Sequence, residues 1–171
     1  FIVVEGRALP SFQLEVLVTA PTPPPAGDTC DNPLPLMSGA TVMGSLAMME
    51  SDVSLTCAGG SNRDVVYRFT LTERSDVNLV ARGGASDYFY LGLTTTCNDR
   101  MGERACRFGA PARLTARAME PGTYYAVLRG LNPRDYSLSL DVRPPLSPVA
   151  VTGNDTCASA FAIPSGGGLY T

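Results

Sequence analysis

The 171-residue chain is 44% hydrophobic and 17% charged, a composition typical of a globular protein. Its net charge is −3, and its thirteen basic residues are all arginines, scattered among acids without forming a basic stripe, so we expect no nucleic-acid partner. The lack of histidine and lysine excludes Ser-His-Asp, Cys-His and Ser-Lys catalysis within this segment, and the apolar runs are too short to insert into a membrane.

The first predicted elements are two short strands within residues 1–20. An apolar run opens the chain, and apolar residues then occupy every second position, as in strands with one buried face. The positions that we expect to take part in assembly are Phe1, Val3, Phe12, Leu14, Val16 and Val18. Residues 21–26 form a Pro-rich linker, for which we predict a semi-rigid spacer.

Residues 27–143 carry most of the predicted strands. Alternation predicts five series of buried side chains: Val65, Tyr67, Phe69 and Leu71; Val77, Leu79 and Ala81; Phe89, Leu91 and Leu93; Leu114, Ala116 and Ala118; Tyr136, Leu138, Leu140 and Val142. Residues 123–128 are almost continuously apolar, which predicts a strand covered on both faces. The predicted turns are Gly59-Gly60-Ser61-Asn62, Gly83-Gly84, Pro121-Gly122 and Asn132-Pro133. Because no helical period is sustained, the predicted fold is all-β, an antiparallel β-sandwich or jelly roll.

Five cysteines predict disulfides and an oxidising compartment, which is the periplasm, the cell surface or the extracellular medium. Four cysteines allow three connectivities, among which sequence alone does not choose. We predict Cys30–Cys57 and Cys97–Cys106, the second of these closing a polar loop over residues 96–108. Cys157 is left over. With no CxxC spacing and no histidine, we expect no zinc site.

An internal repeat organises the chain. Gly27-Asp28-Thr29-Cys30 returns as Asn154-Asp155-Thr156-Cys157, 127 positions later, and the first six residues return 124 positions later, at Tyr125. We therefore interpret residues 1–20 as the last two strands of a preceding repeat and residues 27–143 as one complete repeat. A second Pro-rich linker spans residues 144–152. Residues 153–171 begin the next repeat, where we expect Cys157 to find its partner.

The second half of the complete repeat resembles the bacterial pre-peptidase C-terminal domain. The resemblance lies in Asp64 to Leu71, Ser86 to Leu91, Thr96-Cys97-Asn98-Asp99, Leu114-Thr115, Glu120 to Val127 and the closing strand Tyr136 to Val142. The Asp-Thr-Cys opening, with a second cysteine before Asp64, resembles a cysteine-bearing variant that occurs in tandem in secreted bacterial proteins. The resemblance implies a β-sandwich with an accessory role in secretion, surface attachment, or binding of polysaccharide, protein or calcium.

Calcium needs several converging oxygen ligands. The candidates are Asp87 with Asn98 and Asp99, and Asp28 with Asp31 near the linker. Members of the resembled family often carry an acid where this chain has Arg100, which argues against calcium in that loop. The alternative role for these aspartates, satisfying backbone amides at turns, is the expected one, so we predict no cofactor.

The sequence therefore favours a non-catalytic structural module of a secreted or surface tandem-repeat protein, such as a stalk, fibre or adhesin. Because the segment begins and ends inside repeats, a sharper version is that neighbouring copies complete each other's strands or edges in a filament. The expected partners are neighbouring repeats or copies of the chain. One alternative is a module that binds a surface polysaccharide, with Tyr88, Tyr90, Tyr124 and Tyr125 as candidate stacking residues. The other is an accessory region of a secreted hydrolase.

Overall fold

Strands in two facing sheets make up the structured part of the protein. The computed structural model describes residues 1–5, 11–131, 135–147, 150–154, 156–163 and 165. In chain order the strands are β1 (Leu34–Pro35), β2 (Thr41–Ser45), β3 (Arg63–Leu71), β4 (Ser75–Arg82), β5 (Phe89–Thr94), β6 (Glu103–Gly109), β7 (Ala112–Met119), β8 (Gly122–Gly130) and β9 (Asp135–Arg143). Two short 3-10 helices cover Arg100–Gly102 and Cys157–Ser159.

The five-stranded sheet has the order β1-β3-β8-β5-β6, and the four-stranded sheet has the order β2-β9-β4-β7. Pairing is antiparallel except between β1 and β3. The predicted β-sandwich is confirmed. The predicted turn at Asn132-Pro133 lies outside the described residues.

The core between the sheets confirms most of the predicted alternation. In β3, β4 and β5 the predicted inward side chains are at most 4% exposed, and β9 follows the pattern until Val142, which is half-buried. The hydroxyls of Tyr67 and Tyr136 meet across the core at 2.8 Å. In β7 the pattern fails at Ala118, which has a φ of 51° beside an irregularity in the β4–β7 pairing. There Met119 packs against the core instead.

Strand β6 occupies about half of residues 96–108, for which the sequence predicts a polar loop. Its sequence places charges at Glu103, Arg104 and Arg107 and has no apolar alternation. This pattern is compatible with a strand because β6 is an edge strand, so only one of its edges is paired and most of its side chains reach solvent. Strand β1 was also not predicted, since two residues are too few to show a period.

Residues 46–62, which we call the cover, connect β2 to β3: Leu46 and Met49 pack in the core between the sheets, and the segment from Val53 to Ala58 lies across the outer face of the five-stranded sheet. Val53, Leu55 and Ala58 of the cover pack there on Val66 of β3 and Val127 of β8 in a second apolar cluster. This contact explains why β8 is buried on both faces, as its apolar run predicted.

A glycine in β5 makes room for the cover. A Cβ added to Gly92 would lie 2.2 Å from Leu55 Cδ2, so this position of β5 accepts the Leu55 side chain only because it has no side chain of its own.

The disulfides differ from the predicted pairing, which was wrong. The bonds are Cys30–Cys97 and Cys57–Cys106, and each joins Cα atoms 5.7 Å apart. The cover places Cys57 over β6, next to Cys106 on the outer face of that strand, while Cys97 follows β5. The prediction paired cysteines that are close in the sequence, so that each bond would close a short loop. The observed bonds instead link Cys57 of the cover to β6, and Cys30, which precedes β1, to Cys97 after β5.

The described residues before the complete repeat form no strand. Residues 1–5 and 11–25 have no regular secondary structure, and all of them are exposed. The exposed fractions of Phe12, Leu14, Val16 and Val18 are 67%, 53%, 56% and 88%. By the 124-residue offset these two stretches correspond to β8 and β9, which lie in different sheets. If these two stretches formed strands like β8 and β9, they would therefore not pair with each other in one hairpin. Each would instead have to join a different sheet.

The chain enters and leaves the sandwich at opposite ends. Gly27 accepts a hydrogen bond from Val66 N–H near the start of β3, and Arg143 lies opposite Asp76 near the start of β4. Residues 72–74 connect the end of β3 directly to β4. The starts of these two strands are thus separated by the length of β3, about 30 Å for nine residues.

Candidate functional site

The aspartates considered for calcium are engaged in hydrogen bonds. Asp28 is buried and accepts from Glu50 N–H at 2.6 Å. Asp87 accepts from Gly84 N–H at 2.7 Å, and Asp99 caps a 3-10 helix by accepting from Met101 N–H at 2.9 Å. The expectation that turn aspartates satisfy local backbone amides is confirmed for Asp87 and Asp99, whereas Asp28 satisfies an amide 22 residues away. Asp31, the remaining carboxylate of the candidate set, is exposed.

The structure does not bring Asp87 together with Asn98 and Asp99. Asp87 precedes β5 and Asn98 follows it, so six strand residues, about 20 Å, separate the two. Among the described residues no group of three or more Asp, Glu, Cys or His side chains is arranged to hold a metal ion.

A buried ion pair, which sequence reasoning missed, lies under the start of the cover. Asp64 is fully buried and Arg129 is 3% exposed, with 3.6 Å between Arg129 Nε and Asp64 Oδ2. Asp64 also accepts from the N–H groups of Asp52 and Val53, while Arg129 donates to the carbonyls of Gly60 and Asn62 and to Ser51 Oγ at 3.0–3.1 Å. The pair thereby holds both ends of the segment from Ser51 to Asn62 against β3 and β8.

Burial raises the pKa of the Asp64 carboxyl to about 7, although the hydrogen bond from Val53 N–H and the charge of Arg129 act in the opposite direction. The signal available in the sequence was Arg129, a charge at the end of an otherwise apolar strand.

Contacts from the loop between β5 and β6 and from the first residue of β6 hold the middle of the cover in place. Asn98 accepts from Ser54 N–H at 3.2 Å, and Glu103 accepts from Thr56 N–H at 2.9 Å and from its hydroxyl. Asn98 has a φ of 55°, a left-handed conformation that asparagine tolerates better than most residues. Together with the Cys57–Cys106 bond, these contacts hold the cover on the sheet. Asn98, considered above as a calcium ligand, and Cys106, considered above for a disulfide, therefore both have a structural role.

An aromatic strip lies beside the cover on the same face of the sheet. Tyr88 stacks on Phe108 with ring centroids 5.3 Å apart, and Tyr90 contacts the same ring at 4.6 Å. Tyr88 and Phe108 are 48% and 50% exposed. Of the four tyrosines considered for stacking on sugars, Tyr88 and Tyr90 thus share a surface. Tyr124 is buried against Phe69, with its hydroxyl bonded to Glu120 O.

Four arginines of the β5–β6 loop, β6 and β7 are exposed: Arg100, Arg104, Arg107 and Arg113. The pairing of β5 with β6 shifts between Leu93 and Thr94, which leaves Arg104 as the extra residue of a β-bulge. Arg107 lies opposite the core residue Leu91, and Arg113 lies on the outer face of the four-stranded sheet, between the core residues Ala112 and Leu114. These arginines therefore do not share one face of the sandwich.

A cleft of about 400 Å³ opens between the sheets on the opposite edge of the sandwich, below the short strand β1. Its walls combine apolar residues, among them Leu36, Phe69 and Leu140, with the hydroxyl residues Ser38, Thr70, Thr72 and Ser75, and Glu73 is its ionisable residue. The cleft exists because β1 pairs with β3 only at Tyr67 and Arg68, so the last residues of β3 have no neighbour on that side.

Among the described residues no helix has the length and hydropathy to cross a bilayer.

Comparison with family models gives no match, and comparison with curated proteins gives none either. Among solved structures, the chain is similar to the pre-peptidase C-terminal domain of a collagenase from Bacillus anthracis. The identity is 18% and the TM-score is 0.47, over 63% of this chain and 93% of the collagenase domain. No property of the collagenase is transferred to this chain.

Proposed function

We propose that the chain is a non-catalytic structural module of an extracellular tandem-repeat protein, such as a stalk, fibre or adhesin. One observation carries the proposal: the chain enters and leaves the sandwich at opposite ends, so successive modules would extend in a line. The exposed apolar stretches in residues 1–18, which repeat the patterns of β8 and β9, support it further. Two disulfides are consistent with an oxidising compartment.

The observed disulfides change the partner proposed for Cys157. Cys157 repeats Cys30, and Cys30 is bonded to Cys97. In a following repeat, the partner of Cys157 is therefore the counterpart of Cys97. In the sharper, filament version of the proposal, residues 1–18 are covered by strands of a neighbouring copy instead of by an upstream part of the same chain.

The experiment is small-angle X-ray scattering on chains that contain one, two and three repeats. One sandwich of about 30 Å and a polyproline linker of six or nine residues, about 19 or 28 Å, predict that each added repeat lengthens the particle by about 50–60 Å. Hydrogen exchange of residues 1–5 and 11–18 should slow when the upstream repeat is present. A particle that stays round as repeats are added, with unprotected amides in those residues, would overturn the proposal. Electron microscopy of the single-repeat chain tests the filament version, which uniformly monomeric particles exclude.

A further inference from the structure

We infer that the module bears tension along its strands and that one of its disulfides limits the length that it releases under force. The inference rests on the proposed function, because a stalk or fibre of linked modules is pulled from both of its ends. Force then reaches the sandwich at Gly27 and leaves it at Arg143, at opposite ends of the fold. The response of the module to tension therefore depends on the covalent path between these two residues.

A disulfide takes up the force just inside the entry point. Cys30 is bonded to Cys97, so residues 31–96 form a closed loop, which contains β1 to β5 and the cover. The covalent path from Gly27 to Arg143 bypasses this loop through the bond. A chain lengthens under tension only along the path that connects the pulled points, and each residue on it has a fixed maximum span. The loop therefore adds nothing to the extension while the bond is intact.

The last two strands on the path are held between strands of the closed loop. Strand β9 lies between β2 and β4, and β8 lies between β3 and β5. Strand β9 runs from Asp135 at the entry end to Arg143 at the exit end. Tension at Arg143 therefore pulls β9 along its own axis past both neighbours. The hydrogen bonds of the two ladders lie perpendicular to this axis, so they are loaded together instead of one after another.

The two disulfides have different roles under tension. Cys57–Cys106 joins the closed loop to β6. While Cys30–Cys97 is intact, the route from Cys30 to Cys106 through Cys97 is shorter than the route through Cys57, so the tension follows the first route. Cys57–Cys106 limits the extension only when Cys30–Cys97 is absent.

The paths predict three extensions, at about 3.5 Å per stretched residue and with about 30 Å subtracted for the folded module. With both bonds the path has about 49 residues and releases about 140 Å. With Cys57–Cys106 alone it has about 67 residues and releases about 200 Å. With neither bond it has about 116 residues and releases about 380 Å.

Single-molecule force spectroscopy of the whole chain, held by folded handle domains at both termini, tests the inference. The wild type should unfold in a step of about 140 Å, and dithiothreitol added after the first pull should lengthen the stretched molecule by about 240 Å more. Cys30→Ser/Cys97→Ser should lengthen the stretched molecule by about 60 Å relative to the wild type, whereas Cys57→Ser/Cys106→Ser should leave its length unchanged. Cys157→Ser, which removes the exposed free thiol, is the matched control and should also change no length. The stretched length can be compared even if a variant does not fold.

Three outcomes would overturn the inference. These are a wild type that releases about 380 Å before any reductant is added, a Cys57→Ser/Cys106→Ser variant that stretches further than the wild type, and stretching without an unfolding step, which would show that β9 carries no load. None of them follows from failure of the proposed function. Repeats that pack into a round particle in the scattering experiment would refute the linear array and leave the extension of a single module as predicted.

Discussion

Asp64 is the residue whose ionisation is coupled to folding between acidic and neutral pH. Its pKa is raised to about 7 by burial, whereas an unfolded aspartate titrates near 3.8. The folded state therefore keeps the proton over a range in which the unfolded state has released it. The stabilisation linked to this group is fully present below about pH 4 and is lost as the pH rises to about 7.

Asp64→Asn should flatten the pH dependence of stability. In the wild type this group lowers the free energy of unfolding by at most about 1.4 kcal/mol per pH unit between about pH 4 and 7, and the variant lacks that slope. Urea unfolding at four pH values measures it. Asp141→Asn, in a more exposed ion pair, is the control and should keep the wild-type slope. An unchanged slope in Asp64→Asn would contradict the linkage.

Gly92 is the second residue with a defined physical role. Because an added Cβ would meet Leu55 at 2.2 Å, Gly92→Ala should destabilise the protein by about 1–3 kcal/mol. In a Leu55→Ala background the same change should cost much less, since the colliding side chain is gone. Gly59→Ala, with open space around its Cβ, is the control and should change stability by about 0.5 kcal/mol or less. Additive costs in the double variant would refute the proposed contact.

At the scale of elements, a small set of contacts holds the cover on the five-stranded sheet. Residues 46–62 contain no strand and lie on the sheet through Leu55, the buried ion pair, Glu103 and the Cys57–Cys106 bond. Two elements that the sequence could not identify, β6 and the cover, are the ones that meet here. Their pairing is long-range, and neither has a period of its own that a local pattern could reveal.

Cys57→Ser/Cys106→Ser should release the cover before the sheets unfold. A loss of about 2–5 kcal/mol in unfolding free energy is expected, with faster hydrogen exchange in residues 51–58 and continued protection in β4 and β9. Cys157→Ser, which removes an exposed free thiol, should leave both measurements unchanged. Uniformly faster exchange across β4, β9 and the cover would show instead that the cover and sandwich unfold as one unit.

At the scale of the whole molecule, the sandwich should be independent of the residues before it. Residues 1–20 form no strand where they are described, and the closest link to the domain is Pro25 O, which accepts from Asp28 N–H at 3.1 Å. A chain that starts at residue 21 should therefore unfold with the same midpoint within about 2 °C, and it should aggregate less because exposed apolar side chains are gone. A markedly lower midpoint would mean that residues 1–20 pack on the sandwich in solution.

Sequence by itself determined the all-β class, the inward faces of β3, β4, β5 and β9, and the double burial of β8, because period-two alternation and continuous apolar runs are local consequences of which faces are buried. It also predicted an internal repeat, and this stays a prediction. Only the tertiary structure decided which cysteines are bonded, that β6 is a strand, that Arg129 meets Asp64, and that Phe108 joins Tyr88 and Tyr90 on the outer face of the five-stranded sheet. Each of these depends on contacts between residues far apart in the chain, and such contacts exist only once the two sheets and the cover are in place.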